Sequence, residues 1–223
     1  MARMALLLAA NLGLQLLRAA PGAACDVALL LTVDVSGSID RGEYRLQVEG
    51  LAAALDDPEV AEALLLGQAA LGVVQWSGTG KQTVSIPWRR MLSPAEVADF
   101  ASRARDLARA YTGSDTAVGE AIAFSVDQFA AVSDCRRKVI DISGDGPQNA
   151  GAALGPARGA AAAGGIEINA IAIEDMGRAS PITEFYRRYV VTRHGFVVTA
   201  RGLADYPRAI REKILREVAK PLG

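Results

Sequence analysis

The sequence alternates short apolar runs with segments of helical periodicity, and this alternation constrains the fold more than any other feature. Residues 27–33 read VALLLTV and are followed by Asp34, a pattern typical of a strand that is buried on both faces. Further strand-like runs occur at residues 69–76, 138–143, 166–173 and 196–199. Because strands alternate with helices, we expect an open, mostly parallel sheet that helices cover on both faces.

The helical segments carry apolar residues three and four positions apart. One contains Tyr44, Val48 and Leu55 and stops near Pro58. Another opens at Ser93, with proline at the first helical position. Further helices are predicted near residues 118–129, 157–163, 182–189 and 203–218. Residues 82–88 alternate in polarity after a turn, which predicts an antiparallel edge strand. The whole pattern predicts one doubly wound α/β domain.

Composition removes several classes of function. The 223 residues carry a net charge of −1, so nucleic acid is not expected as a partner. One histidine and two cysteines are too few for a zinc site built on Cys and His. A serine hydrolase is also disfavoured, because no G-x-S-x-G motif is present.

Residues 1–24 have the layout of a secretory signal peptide. Arg3 precedes a mostly apolar run at residues 5–17, and small residues follow at 21–24. That run is too short to span a bilayer. We therefore expect an exported chain, periplasmic or extracellular, whose mature domain covers residues 25–223. Cleavage at this point would make Cys25 the first residue, which leaves a lipid-anchored form as an alternative.

Polar oxygens follow two of the predicted strands. Asp34, Ser36 and Ser38 come directly after the first strand, and Asp145 follows the strand at residues 138–143. Thr116 stands at the predicted start of a helix between them. In a doubly wound sheet these positions meet at the carboxyl edge of the strands. Oxygen ligands without imidazole or thiolate suit Mg²⁺, with Mn²⁺ or Ca²⁺ as alternatives.

Three of these segments resemble motifs of von Willebrand factor A-type domains. Residues 34–38, DVSGS, resemble the family's DxSxS motif, and Thr116 with Gly119 resembles its threonine loop. Residues 143–146, SGDG, resemble its second aspartate turn. The resemblance extends from about residue 26 to 220. It implies a six-stranded sheet of order 3-2-1-4-5-6 and a metal-ion-dependent adhesion site at Asp34, Ser36, Ser38, Thr116 and Asp145.

The resemblance also implies a function. The chain would be a protein-binding module, not an enzyme, and a Glu or Asp of a partner protein would complete the coordination of the cation. Residues 75–77, 139–146 and 186–198 are similar to an exported bacterial subfamily of unknown function.

Two other interpretations of the motif residues remain open. Asp34, Ser36 and Ser38 are residue types that also cap helices. Alternatively, Asp34 could be the nucleophile of a magnesium-dependent phosphatase that resembles the haloacid dehalogenases, with Lys138 as its lysine. That family implies a second acid two residues after the nucleophile, where this chain has Ser36.

The two cysteines stand at similar distances before the two aspartates. Cys25 lies nine residues before Asp34, and Cys135 lies ten before Asp145. If both aspartates end strands at one edge, both cysteines begin them at the other. The resemblance adds that these strands are neighbours, which predicts a disulfide between Cys25 and Cys135. Two unrelated thiols, or a lipid on Cys25, are the alternatives.

Overall fold

The computed structural model describes residues 25–174 and 181–219, and its strands form one sheet of order β3-β2-β1-β4-β5-β6. Only the β2–β3 pair is antiparallel among the described strands. The strands are β1 (Cys25–Asp34), β2 (Ala70–Trp76), β3 (Gln82–Arg90), β4 (Cys135–Gly144), β5 (Ile166–Glu174) and β6 (Val197–Arg201). The predicted order and the antiparallel edge strand are confirmed. The predicted signal peptide lies outside the described residues.

Helices connect the strands and pack on both faces of the sheet. They are α1 (Arg41–Asp56), α2 (Pro58–Leu66), α3 (Pro94–Arg105), α4 (Val118–Gln128), α5 (Leu154–Ala163), α6 (Ile182–Phe185) and α7 (Tyr206–Val218). A π-helical turn, Tyr186–Val190, continues α6. No helix of the described residues is long and apolar enough to cross a membrane.

The sequence pattern predicts a helix that stops near Pro58 and does not predict helix α2. Proline ends α1, but it also occupies the first position of α2, where its missing N–H costs nothing. Asp57 caps the new helix by accepting hydrogen bonds from the amides of Glu59 and Val60.

Strand β1 supplies alternate side chains to two separate hydrophobic cores. Leu29 and Leu31 belong to one core, which includes residues of α1, α3 and α7. Ala28 and Leu30 belong to the other, which includes residues of α4 and α5. This arrangement explains why residues 27–33 are apolar except for the buried Thr32.

The register of β1 and β4 determines what lies at each edge of the sheet. Cys25 pairs directly with Cys135, and Val33 pairs with Ser143. At the amino edge, the Cα atoms of Cys25 and Cys135 are 4.6 Å apart and the residues form the predicted disulfide. At the carboxyl edge, the loops after the two strands are brought side by side.

A buried ionic cluster lies between the sheet and α7. Asp141 is buried in the middle of β4, where an unpaired carboxylate would be costly. The Nζ of Lys213 is 2.7 Å from Asp141 Oδ1 and 2.6 Å from Glu217 Oε1. Asn169 also donates a hydrogen bond to Glu217 Oε1. Burial, opposed by Lys213 and reinforced by Asp141, raises the pKa of Glu217 to about 8.

Candidate metal centre

The loop after β1 directs three oxygen-bearing side chains into one place. Asp34 is fully buried, and its Oδ1 accepts a hydrogen bond of 2.7 Å from the amide of Ser36. The hydroxyls of Ser36 and Ser38 lie 3.2 Å apart. Glycine at position 37 allows the loop that contains Ser114 to approach, because a Cβ there would lie 3.0 Å from the carbonyl oxygen of Ser114. The alternate spacing of Asp34, Ser36 and Ser38 therefore produces a compact oxygen cluster.

Two other loops complete the cluster. Thr116 donates from its hydroxyl to Ser36 Oγ over 3.4 Å. Ser38 donates to Asp145 Oδ1 over 2.6 Å. The structure thus links Asp34, Ser36, Ser38, Thr116 and Asp145 through a continuous set of short contacts. These are the five residues predicted to hold a cation.

Asp34 is a buried carboxylate whose charged form is disfavoured by its surroundings. Its Oδ2 is buried and has no hydrogen-bond partner among the described residues. Burial raises the pKa of Asp34 to about 7, although hydrogen bonds from Ser36 lower it; Asp145 raises it further and Arg109 lowers it. A cation beside the carboxylate would compensate its negative charge and would give Oδ2 a partner.

The donor set fits a hard divalent cation. No group of three or more His, Cys, Asp or Glu that could hold a metal occurs in residues 25–174 and 181–219. Two carboxylates and three hydroxyls are nevertheless a suitable set of oxygen donors for Mg²⁺ or Mn²⁺, which also retain water ligands. The buried Asp34 Oδ2, which has no hydrogen-bond partner among the described residues, is the observation that favours a cation.

Tyr186 was not predicted to belong to the site. It is fully buried, and its hydroxyl has no hydrogen-bond partner among the described residues. A Cβ at Gly144 would collide with this hydroxyl and would lie 3.0 Å from Asp34 Oδ2. Burial raises the pKa of Tyr186, and the charges of Asp34 and Asp145 raise it further. Glycine at position 144 therefore leaves the space that the Tyr186 hydroxyl occupies.

Arg109 and Asn149 support the loops from outside the cluster. Arg109 donates to the carbonyl oxygens of Val35 and Ser36 over 3.0 and 2.9 Å. Asn149 Oδ1 accepts a hydrogen bond of 2.8 Å from the amide of Thr116. Both residues lie in irregular segments outside the motifs, so no motif pattern indicated them.

Helix capping does not account for the motif residues. The N-cap of α1 is Asp40, whose side chain accepts a hydrogen bond from the amide of Glu43 and whose own amide donates to the Glu43 carboxylate, which completes a capping box. The prediction that Thr116 opens a helix was wrong by two residues, because α4 begins at Val118. The hydroxyl of Thr116 contacts Ser36 instead of capping that helix.

The sheet register also separates the residues that a phosphatase would need together. Lys138 of β4 pairs with Ala28 of β1, and Ala28 lies six residues before Asp34 on β1. At about 3.3 Å per residue, this corresponds to about 20 Å along the sheet. Lys138 and Asp34 thus lie near opposite edges, which removes the support for the phosphatase interpretation.

Together, this sheet order and the three loops at its carboxyl edge match the fold of von Willebrand factor A-type domains. Solved structures of that class share the fold. One is proximal thread matrix protein 1 from the mussel byssus with a zinc-occupied MIDAS motif, at 20% identity and a TM-score of 0.64. Others are the von Willebrand factor type A protein from Catenulispora acidiphila, at 17% and 0.64, and the vWF domain of the type V pili tip protein Mfa5 from Porphyromonas gingivalis, at 10% and 0.62.

The chain belongs to the family described as "Protein of unknown function (DUF1194)", which it matches over residues 24–222. No curated protein matches the chain. Similarity to the byssal protein covers 87% of this chain and 48% of that one, and similarity to the Catenulispora protein covers 88% and 44%. The chain therefore spans less than half of their length. Similarity to the Mfa5 domain covers 89% and 97%.

Proposed function

We propose that this chain is an exported protein-binding module whose binding requires a divalent cation. The cation, Mg²⁺ or a similar ion, would be held by Asp34, Ser36, Ser38, Thr116 and Asp145. The observation that carries the proposal is the buried Asp34 Oδ2, which lies unpartnered among the described residues within a cluster of oxygen donors.

The charge of the site indicates what kind of group a partner would supply. Asp34 and Asp145 are the two carboxylates of the set. Their two negative charges would balance a divalent cation and leave no excess negative charge at the site. Hydroxyls and water are neutral ligands, and a position held by water can be taken by an anionic ligand. A Glu or Asp of another protein is therefore the group we expect to enter the coordination sphere.

The comparisons support this proposal at the level of the fold. The byssal protein has a zinc-occupied MIDAS motif, and Mfa5 is a pili tip protein. These two similar structures favour a binding role over catalysis. The five residues proposed to hold the cation include no separate acid–base pair.

Export is supported by two features of the chain. Residues 1–24 have the composition of a signal peptide, and Cys25 and Cys135 form a disulfide, which persists in an oxidising compartment. We propose a mature domain of residues 25–223 in the periplasm or outside the cell. Use of Cys25 in the disulfide disfavours a lipid anchor at that residue.

The test is affinity capture from the periplasmic fraction with the mature chain, with Mg²⁺ and with a chelator. We expect partners to be retained only with the cation. The double variant Ser36→Ala/Ser38→Ala should lose them while keeping the circular dichroism spectrum of the wild type. Ser102→Ala, an exposed serine of α3, is the matched control and should retain them.

Capture that is unchanged in the double variant would move the interface away from the carboxyl edge of the sheet. Capture that is unchanged by the chelator would show that the interaction does not depend on a metal ion. Either result would overturn the proposal.

A further inference from the structure

A cleft lies between α5 and the segment that leads into β6, away from the metal centre. Its volume is about 560 Å³, and three arginines line it: Arg158, Arg187 and Arg193. The amide of Thr192, which also lines the cleft, donates to the carbonyl oxygen of Ile168 near the beginning of β5. The cleft therefore lies beside the amino-terminal half of β5, whereas the metal centre lies at the carboxyl ends of β1 and β4.

The cleft is open because α5 presents small residues to it. Gly159 and Ala162 form part of the lining, and a Cβ at Gly159 would meet nothing within 4 Å. Glycine inside a helix is less favourable than alanine by roughly 1 kcal/mol. The sequence thus places a destabilising residue at a position where a larger side chain would occupy the cleft.

Three arginines give the cleft its positive charge, and acidic residues neutralise only part of it. Arg158 is held by a hydrogen bond of 2.9 Å to the carbonyl oxygen of Arg188. Arg187 pairs with Glu184 in an exposed ion pair, which contributes little. Arg193 has no ion pair or side-chain hydrogen bond within the described part of the chain. None of the residues that line the cleft is acidic, although the chain as a whole carries a net charge of −1.

We propose that this cleft binds a small organic ligand that carries two or more oxyanion groups, such as phosphate, sulfate or carboxylate. Guanidinium groups match these anions with paired N–H donors. The volume is in the range of small-molecule sites and is larger than a single inorganic anion requires. Val191 and Ala162 supply apolar lining for the body of such a ligand.

The test uses pyrophosphate and citrate as probes, in isothermal titration calorimetry at low ionic strength. Protein and buffer are first passed over a chelating resin, so that neither probe can bind through a metal ion. We expect saturable binding with a stoichiometry of one, which weakens as salt is added.

Two variants locate the binding. Gly159→Leu adds a bulky apolar side chain to the lining without changing the charge, and Arg193→Gln removes a guanidinium without adding bulk. Each should weaken binding by tenfold or more. The matched controls are Ala160→Leu on the exposed side of α5 and Arg89→Gln on the edge strand. Both should bind as the wild type does.

Three results would overturn the proposal: no saturable binding of either probe, equal weakening in Arg193→Gln and Arg89→Gln, or binding unaffected by Gly159→Leu. Cosedimentation with phosphatidylglycerol vesicles distinguishes a lipid headgroup from a soluble ligand. Binding to vesicles without binding to the soluble probes would also count against the proposed small-molecule site.

Discussion

The hydroxyl of Ser38 donates a hydrogen bond of 2.6 Å to Oδ1 of Asp145, across 107 positions of the sequence. This bond joins the loop after β1 to the loop after β4 at the carboxyl edge of the sheet. It also adds the partly exposed carboxylate of Asp145 to the cluster that contains the buried carboxylate of Asp34. The five predicted ligands therefore depend on the parallel register of β1 and β4.

The first prediction concerns metal binding. Mg²⁺ or Mn²⁺ at 100 times its Kd should stabilise the folded wild type by about 2.7 kcal/mol, which corresponds to a rise in Tm of roughly 5–10 °C for a chain of this size. Asp145→Ala should fold but lose most of this rise, because it removes an oxygen ligand from a surface loop. Differential scanning calorimetry with and without the ion measures both.

Asp127→Ala is the control for the loss of one carboxylate, since Asp127 is exposed on α4. It should retain the full rise in Tm. A wild type whose Tm does not respond to either ion would contradict the assignment of the site.

The second prediction concerns Gly144 and Tyr186. Gly144→Ala should destabilise the chain by about 1–3 kcal/mol, because its Cβ would collide with the Tyr186 hydroxyl. Tyr186→Phe removes that hydroxyl, which has no hydrogen-bond partner in the described residues, and should be nearly neutral. The double variant should recover most of the lost stability in urea unfolding. Strict additivity of the two single effects would contradict a direct contact.

The third prediction concerns the buried ionic cluster. Lys213→Met leaves Asp141 and Glu217 buried without their cation, and we expect a loss of about 3–5 kcal/mol in the free energy of unfolding. The exposed pair Arg45–Glu49 has the same i, i+4 spacing, so Arg45→Met should cost less than about 1 kcal/mol. Similar losses in the two variants would show that Lys213 does not carry a buried charge.

The fourth prediction is a dependence of stability on pH. Because the pKa of Glu217 rises from 4.5 to about 8 on folding, the folded state holds a proton that the unfolded state releases between these values. The stability that this proton confers is fully present below about pH 4.5 and is lost as the pH rises towards 8. The slope for one proton is at most about 1.4 kcal/mol per pH unit.

Glu217→Gln should remove this contribution and flatten the decline in stability between pH 5 and 8. Urea unfolding in metal-free buffer measures the slope. Asp34 contributes in the same direction and is present in both proteins, so the difference between them reports on Glu217. Glu49→Gln, an exposed control, should leave the slope as in the wild type, and an unchanged slope in Glu217→Gln would refute the prediction.

The fifth prediction concerns the disulfide. Cys25→Ser/Cys135→Ser should lower the free energy of unfolding by about 2–5 kcal/mol, because the bridge closes a long loop. Reductant should destabilise the wild type and leave the double variant unaffected. Mass spectrometry of the mature protein without reductant should find no free thiol; two free thiols, or a diacylglycerol on Cys25, would contradict the bridge.

Much of the fold followed from local patterns in the sequence. The strand at residues 27–33 was predictable because burial on both faces favours an almost continuous apolar run. Helix α2 was missed because Pro58 is compatible with both an end and a beginning, and local sequence does not distinguish them. The site motif was predictable because Asp34, Ser36 and Ser38 are close in the chain and follow a recognisable strand.

The sequence by itself determined the alternation of strands and helices, the two cores supplied by β1, and the residues at the carboxyl edge. These depend on side-chain polarity at short spacing, which is a local property. Only the tertiary structure decided that Lys213 of α7 pairs with Asp141 of β4, that the Tyr186 hydroxyl packs against Gly144, and that three arginines line one cleft. Such contacts join segments tens of residues apart, and their partners are selected by the packing of helices on the sheet rather than by any pattern along the chain.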